Sequence, residues 1–133
     1  MKRTFGTLCL FLMACLGLQA AQVDTLLVRS ESMNKDIKVV AIRPDKAMKG
    51  EKCPVIYLLH GHSGNARTWI DVRPDLPEIA DRDGIIFVCP DGNYDSWYWD
   101  SPAIKESRYE TFISKELIHY VDTHLSAIPD RNK

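Results

Sequence analysis

Two short apolar segments constrain the fold more than any other feature of the sequence. Residues 54–59 read P-V-I-Y-L-L and residues 85–89 read I-I-F-V-C, so each is almost continuously apolar. Such runs are typical of strands buried on both faces of a parallel sheet. Between them, Leu76, Ile79 and Ala80 recur at helical spacing and predict a helix over about residues 74–82. The chain is therefore predicted to be an α/β protein with a mostly parallel sheet.

The flanking segments add a hairpin before these strands and a helix after them. Residues 23–29 and 37–43 are predicted strands joined by a turn at 32–35, which makes an antiparallel hairpin. The polar residues 44–52 are predicted to form a loop. Tyr109, Phe112, Leu117 and Val121 form an apolar stripe that predicts the longest helix over residues 106–125.

The first twenty residues have the pattern of an export signal. Basic residues Lys2 and Arg3 precede an apolar run over residues 5–18, and the small residue Ala20 follows. The run is short for a membrane span, so residues 1–20 are predicted to be a signal peptide cleaved after Ala20. The mature domain would comprise residues 21–133, without an integral membrane segment, in the periplasm or outside the cell. Lipidation of Cys15 is a less favoured alternative, because Met13 fits a lipoprotein signal poorly.

Charge and cysteine content argue against several classes of protein. Lys and Arg number 17 against 18 Asp and Glu, a net charge of −1, which gives no basic surface for nucleic acid. Cys53 and Cys89 are predicted at opposite ends of neighbouring strands, too far apart for a disulfide, and therefore as buried free thiols. No C-x-x-C, metal-ligand spacing or phosphate-binding glycine motif is present, so neither a metal nor another cofactor is predicted.

The segment of residues 58–65, L-L-H-G-H-S-G-N, points to a catalytic loop. A buried strand that ends in His-Gly and a tight loop is typical of the oxyanion hole of α/β-hydrolases, which uses a backbone N–H. The predicted donor is the amide of His62, and Gly61 and Gly64 are expected to let the loop turn without a Cβ clash. Ser63 follows Gly-His as in a nucleophile elbow, but Asn65 stands where that motif needs glycine, so Ser63 is not predicted to be a nucleophile.

Several ordered blocks extend this likeness over residues 21–133. They are the loop with Trp69 behind it, V-C-P-D-G at 88–92, S-W-Y-W-D-S-P at 96–102, Y-E-T-F at 109–112, Glu116-Leu117, and Asp130-Arg131. With these blocks the chain resembles the putative-esterase family of α/β-hydrolases. That family includes esterase D (S-formylglutathione hydrolase), tributyrin, feruloyl and acetylxylan esterases, and the mycolyltransferases.

The resemblance implies a serine hydrolase that acts on carboxylic esters or thioesters, either small or linked to carbohydrate. It implies that His62 supplies the first oxyanion amide, within a loop that includes Gly61, Ser63 and Gly64. It also implies that Trp69, Trp97 and Tyr98 line or support the substrate pocket. Packing of Trp97 and Tyr98 over the end of the sheet is an equally weighted alternative.

The sequence departs from the family pattern at one essential point. No G-x-S-x-G is present, and in the family the nucleophile follows the next strand, shortly after the position of Asp130-Arg131. The chain is therefore expected to correspond to the N-terminal half of an esterase, without nucleophile, acid or base. Alone it is expected to be catalytically silent and marginally folded, because the strand of residues 54–59 would be left at the edge of the sheet and open to aggregation. An acyltransferase of the same fold, or a non-catalytic secreted module that binds a carbohydrate or partner through its aromatic loop, remains an alternative.

Overall fold

A computed structural model describes residues 21–132, so the predicted leader lies outside the described residues. The strands are β1 (Gln22–Ser30), β2 (Lys35–Arg43), β3 (Val55–Tyr57) and β4 (Ile86–Pro90). The first three helices are α1 (Asp45–Met48), α2 (Thr68–Val72) and α3 (Leu76–Asp83). A final helical stretch comprises α4 (Tyr109–Thr111), a π-helical segment (Phe112–Leu117) and α5 (Ile118–His124).

The four strands form one mixed sheet in the order β1-β2-β4-β3. β1 and β2 make the predicted antiparallel hairpin, with Gln22 opposite Arg43 and Ser30 opposite Lys35. β2 and β4 are also antiparallel, whereas β3 and β4 are parallel. The α/β class is confirmed, and within residues 21–132 the parallel part of the sheet is the pair β3 and β4.

Alternate residues of β2 and β4 supply two apolar layers, one on each face of the sheet. One layer packs against the final helical stretch and includes Val39, Ala41, Ile86, Val88, Phe112, Leu117 and Val121. The other packs against α2 and α3 and includes Val40, Ile42, Phe87, Cys89, Leu76 and Ala80. Because both faces are covered, the central strands β2 and β4 are buried, as expected for an α/β sheet.

Within residues 21–132, the strand predicted over 54–59 lies at the edge of the sheet as expected for this chain, but it is shorter than predicted and is not buried on both faces. β3 has three residues and lies at the edge of the sheet, and Ile56 and Leu59 are exposed. The reason is that its outer edge is only partly paired. Cys53 N–H donates to Ser126 O at 2.9 Å and Ile128 N–H donates to Cys53 O at 2.9 Å, which starts a parallel pairing that does not extend along β3.

Three local predictions also needed correction. Residues 44–52 are not all loop, because α1 occupies Asp45–Met48, and α2 was not predicted. The helix predicted over 74–82 runs from Leu76 to Asp83, and Gly84 ends it in a left-handed conformation, φ 66°. The last helix contains a π-helical segment, in which Glu116 accepts hydrogen bonds from Ser30 Oγ and Ser32 N–H at 2.7 Å each and ties this helix to the hairpin turn.

Both described cysteines are free and buried, as predicted. Burial raises the pKa of the Cys89 thiol to about 11 and also raises the pKa of Cys53. These thiols therefore behave as small apolar side chains of the core.

Among residues 21–132, no helix combines the length and the apolar character needed to cross a membrane.

Candidate functional site

A cavity of about 180 Å3 lies between the loop after β3 and the loop after β4. His60, Gly61 and His62 line it from the first loop, and residues 92–98 line it from the second. Because β3 and β4 are parallel, both loops follow the carboxyl ends of their strands and lie side by side there. The carboxyl ends of parallel strands are where α/β sheets place their ligand sites.

The buried imidazole of His60 joins the two loops. Nδ1 lies 2.7 Å from Gly61 O, and Gly92 N–H donates to Nε2 at 2.8 Å. A carbonyl oxygen can only accept, so Nδ1 carries the proton and Nε2 is the acceptor. His60 is therefore neutral in this arrangement, and both ring nitrogens are used to fix loop backbone. Sequence reasoning assigned His60 only to the end of the strand and missed this role.

Space around the His60 ring explains one of the two glycines of the first loop. A Cβ on Gly64 would lie 2.7 Å from His60 Nδ1 and 2.9 Å from Thr68 Oγ1. Within residues 21–132, no atom outside the adjoining residues lies within 4 Å of a Cβ built on Gly61. The expectation that both glycines avoid a clash therefore holds for Gly64 and is wrong for Gly61.

The amides of Gly61 and His62 differ from those of the next two residues in the loop. Ser63 N–H donates to Tyr94 O at 2.8 Å and Gly64 N–H donates to Gly61 O at 3.1 Å. Within residues 21–132, by contrast, no group accepts a hydrogen bond from the amide of Gly61 or from the amide of His62. Ser63 has a left-handed backbone, φ 62°, which supports the tight turn at this point. The loop thus has two free backbone donors, on Gly61 and His62, and both residues line the cavity.

Aromatic side chains of the second loop form the rest of the wall. The His62 ring lies edge-on to Tyr94, with ring centroids 4.7 Å apart, and 6.3 Å from the Trp97 ring. Trp97 and Tyr98 have left-handed backbones, φ 53° and 54°. Buried Ser96 supports this conformation, because its hydroxyl donates to Gly92 O and accepts from Tyr98 N–H. Strain of this kind is typical of functional loops.

Tyr98 connects the aromatic wall to the first loop. Its hydroxyl donates to His60 O at 3.2 Å, and its ring lies edge-on to the His60 ring at 5.7 Å. Burial raises the pKa of Tyr98 to about 12, so the phenol remains a donor at neutral pH. The side chain of Trp97, in contrast, is 77% exposed.

The structure brings together most of the predicted site residues. Gly61, His62, Trp97 and Tyr98 all line the cavity, with Ser63 and Gly64 in the same loop. Trp69 does not line it, because it lies in α2 and packs against the apolar layer on the α3 side of the sheet. His119 and His124 lie exposed on the final helical stretch.

The site offers backbone donors and aromatic surface rather than a cluster of ligands. Within residues 21–132, no three side chains of His, Cys, Asp or Glu lie together in a way that could hold a metal ion. Asp91 is the acidic group beside His60, with Oδ1 3.7 Å from Nε2. The arrangement can therefore bind a developing negative charge through an amide and an apolar group through aromatic rings.

Comparison with known proteins identifies a family model and several similar proteins. A family model described as Putative esterase matches residues 30–132. An acetyl esterase from Caldicellulosiruptor saccharolyticus is 28% identical over 99 residues, which cover 68% of this chain and 36% of that protein. A ferulic acid esterase structure has a TM-score of 0.70 and 27% identity, and the match covers 84% of this chain and 47% of that one.

An S-formylglutathione hydrolase from Agrobacterium tumefaciens has a TM-score of 0.71 at 18% identity, and the match covers 84% of this chain and 48% of that one. At this identity the likeness shows the α/β-hydrolase fold. The chain thus spans between about a third and a half of the length of these relatives, from 36% to 48%.

Proposed function

The chain belongs to the Putative esterase family, and from this premise we propose that the whole protein is an exported serine hydrolase of carboxylic esters or thioesters. The acetyl esterase and ferulic acid esterase relatives support ester substrates. Export is proposed on the signal-like pattern of residues 1–20.

The free amide of His62 is the observation on which this proposal chiefly rests. Attack on an ester carbonyl places negative charge on its oxygen, and a donor fixed in advance stabilises that charge without reorganisation. The amides of Ser63 and Gly64 donate to carbonyl oxygens of the two loops. The His60 ring is hydrogen-bonded to the backbone of both loops. Of the two free amides, on Gly61 and His62, the resemblance to α/β-hydrolases selects His62 as the first oxyanion donor, and removal of one such donor costs about 10²–10³ in kcat.

The remaining catalytic groups are assigned to sequence that follows the described residues in the whole protein. The chain spans 48% of the hydrolase structure with which it shares its fold. A nucleophilic serine would approach the cavity from the side of β3, and the amide after that serine would be the second oxyanion donor. The acid and base of the triad would complete the site.

The cavity fits a small or planar acyl group. Its volume is about 180 Å3, and its wall includes the rings of Tyr94, Trp97 and Tyr98. Exposed Trp97 and Trp99 extend an aromatic surface beyond the cavity, which favours an ester linked to a carbohydrate. The same surface is the observation that favours the second candidate, a carbohydrate-binding module without catalysis. An acyltransferase would use the same oxyanion amide and pass the acyl group to an alcohol instead of water.

The test is to treat the whole protein with a fluorophosphonate probe and with p-nitrophenyl esters of increasing acyl length. We expect covalent labelling of one serine and hydrolysis of short-chain esters. Product analysis with added sugar alcohols separates hydrolysis from transfer. Absence of labelling and hydrolysis, together with quenching of tryptophan fluorescence by oligosaccharides, would replace the enzyme by the binding module.

A further inference from the structure

A main-chain nitrogen at the beginning of the described chain has an unusual partner. Ala21 is only 9% exposed, and its N–H donates to Asp81 Oδ2 at 2.6 Å. The other carboxylate oxygen, Oδ1, accepts from Asp45 N–H at 2.8 Å. Asp81, on α3, therefore joins the beginning of β1 and the beginning of α1.

The negative charge of Asp81 has no cationic side chain to balance it within residues 21–132. Two basic residues close to it, one next along the chain and one on α1, form ion pairs with other carboxylates. Arg82 pairs with Asp83 at 2.8 Å, and Lys46 pairs with Glu51 at 3.6 Å. The half-buried carboxylate of Asp81 therefore has only two neutral amides as partners. Buried carboxylates are usually balanced by a positive charge.

We propose that the bond between Ala20 and Ala21 is a processing site, and that Asp81 binds the α-ammonium group that cleavage creates on Ala21. Hydrolysis by an endopeptidase that recognises small residues adds water across the bond. Ala20 leaves with a new carboxylate, and the Ala21 nitrogen takes up protons to become an ammonium group. The amide hydrogen bond to Asp81 is thereby replaced by an ion pair. This inference depends on the predicted leader and is independent of the proposed esterase activity.

The surroundings of Ala21 suit a new chain terminus. Ala21 is buried in the apolar layer that also contains Val40, Ile42 and Ala80, which fixes the position of its nitrogen. The separation of 2.6 Å between that nitrogen and Asp81 Oδ2 is close to the range of about 2.7–2.9 Å that charged nitrogen donors keep to carboxylates. Processing would then add a charge-balanced anchor between β1 and α3.

Four proteins test the proposal. All four contain the whole mature sequence. Two begin at Ala21 and two begin at a glycine added before Ala21. In each pair, one protein keeps Asp81 and the other carries Asp81→Asn. The added glycine keeps the Ala21 amide but moves the charge away. We expect the chain that begins at Ala21 to melt about 4 °C above its extended form. We expect Asp81→Asn to remove this difference.

Two further measurements keep the proposal testable if a variant folds poorly. The α-amino group of the chain that begins at Ala21 can be labelled with isotopically enriched methyl groups and titrated by NMR. Its pKa should lie above the ordinary range of about 7.7–8.0 and return to that range with Asp81→Asn. N-terminal sequencing of the exported protein should read A-Q-V-D. A different terminus, or a melting difference that persists with Asp81→Asn, would overturn the proposal, whereas loss of esterase activity would leave it unaffected.

Discussion

Replacing His60 by its two amide isosteres should have unequal effects on the loops of the cavity. The Asn side-chain nitrogen takes the place of Nδ1, so His60→Asn keeps a donor to Gly61 O and removes the acceptor of Gly92 N–H. The Gln side-chain oxygen takes the place of Nε2, so His60→Gln keeps the bond to Gly92 and removes the other. Both variants lose the edge-on contact with Tyr98, which makes each a control for the other.

The expected magnitudes follow from burial. The bond from Gly92 N–H is fully buried, and a buried donor left unpaired costs about 1–3 kcal/mol. Gly61 is exposed, so water can replace the bond that its carbonyl loses, at a cost of about 0.5–1 kcal/mol. His60→Asn should therefore destabilise the loops by about 0.5–2 kcal/mol more than His60→Gln, as the difference between these ranges.

The assay is hydrogen exchange of the Gly92 amide, supported by urea unfolding. We expect exchange in His60→Asn to be about 2- to 30-fold faster than in His60→Gln, the same difference expressed as a rate ratio. Equal exchange in the two variants, or faster exchange in His60→Gln, would refute the hydrogen-bond assignment and the neutral form of the ring.

Three further outcomes follow from glycine packing, thiol burial and the sheet edge. Gly64→Ala should lower the free energy of unfolding by about 1–3 kcal/mol, whereas Gly61→Ala, with no neighbour for its Cβ, should cost much less, as urea unfolding will show. Burial raises the pKa of Cys89 from 9.0 to about 11. The stability provided by the neutral thiol is therefore complete below pH 9 and is lost as the pH rises towards 11. Between these pH values, the free energy of unfolding of Cys89→Ala should fall less than that of the unchanged protein. Ile56→Lys, at the exposed edge of β3, should reduce aggregation in light scattering with little change in melting temperature.

Local patterns in the sequence were sufficient for β1, β2, β4 and the class of fold. Apolar alternation located β1 and β2, and the continuous apolar run before Pro90 located β4, because these signals depend on the residue and its near neighbours. The same run signal failed for β3, since burial of a strand depends on what pairs with its far edge. The π-helical segment was also missed, because the contacts of Glu116 join residues more than eighty positions apart.

In the candidate site, too, local features could be predicted from the sequence, whereas contacts between distant residues could not. The His-Gly motif identified the loop and the His62 amide as a feature to examine, because a motif records local backbone geometry. The role of His60 depends on a second loop that is distant in sequence, so no periodicity or spacing could predict it, whereas the contacts of Ser96 lie within its own loop and had no recognised motif. Trp69 illustrates the reverse case, since a matched residue in the sequence packs away from the cavity once α2 is formed.

The most direct test of the account compares two substitutions of His62 in the whole protein. His62→Pro removes the backbone donor, and His62→Ala removes the imidazole but keeps the donor. With p-nitrophenyl acetate as substrate, and circular dichroism to verify folding, we expect His62→Pro to lower kcat by about 10²–10³ and His62→Ala to lower it far less. Equal losses in the two variants, or full activity in a folded His62→Pro protein, would contradict the assignment of the His62 amide to the oxyanion hole.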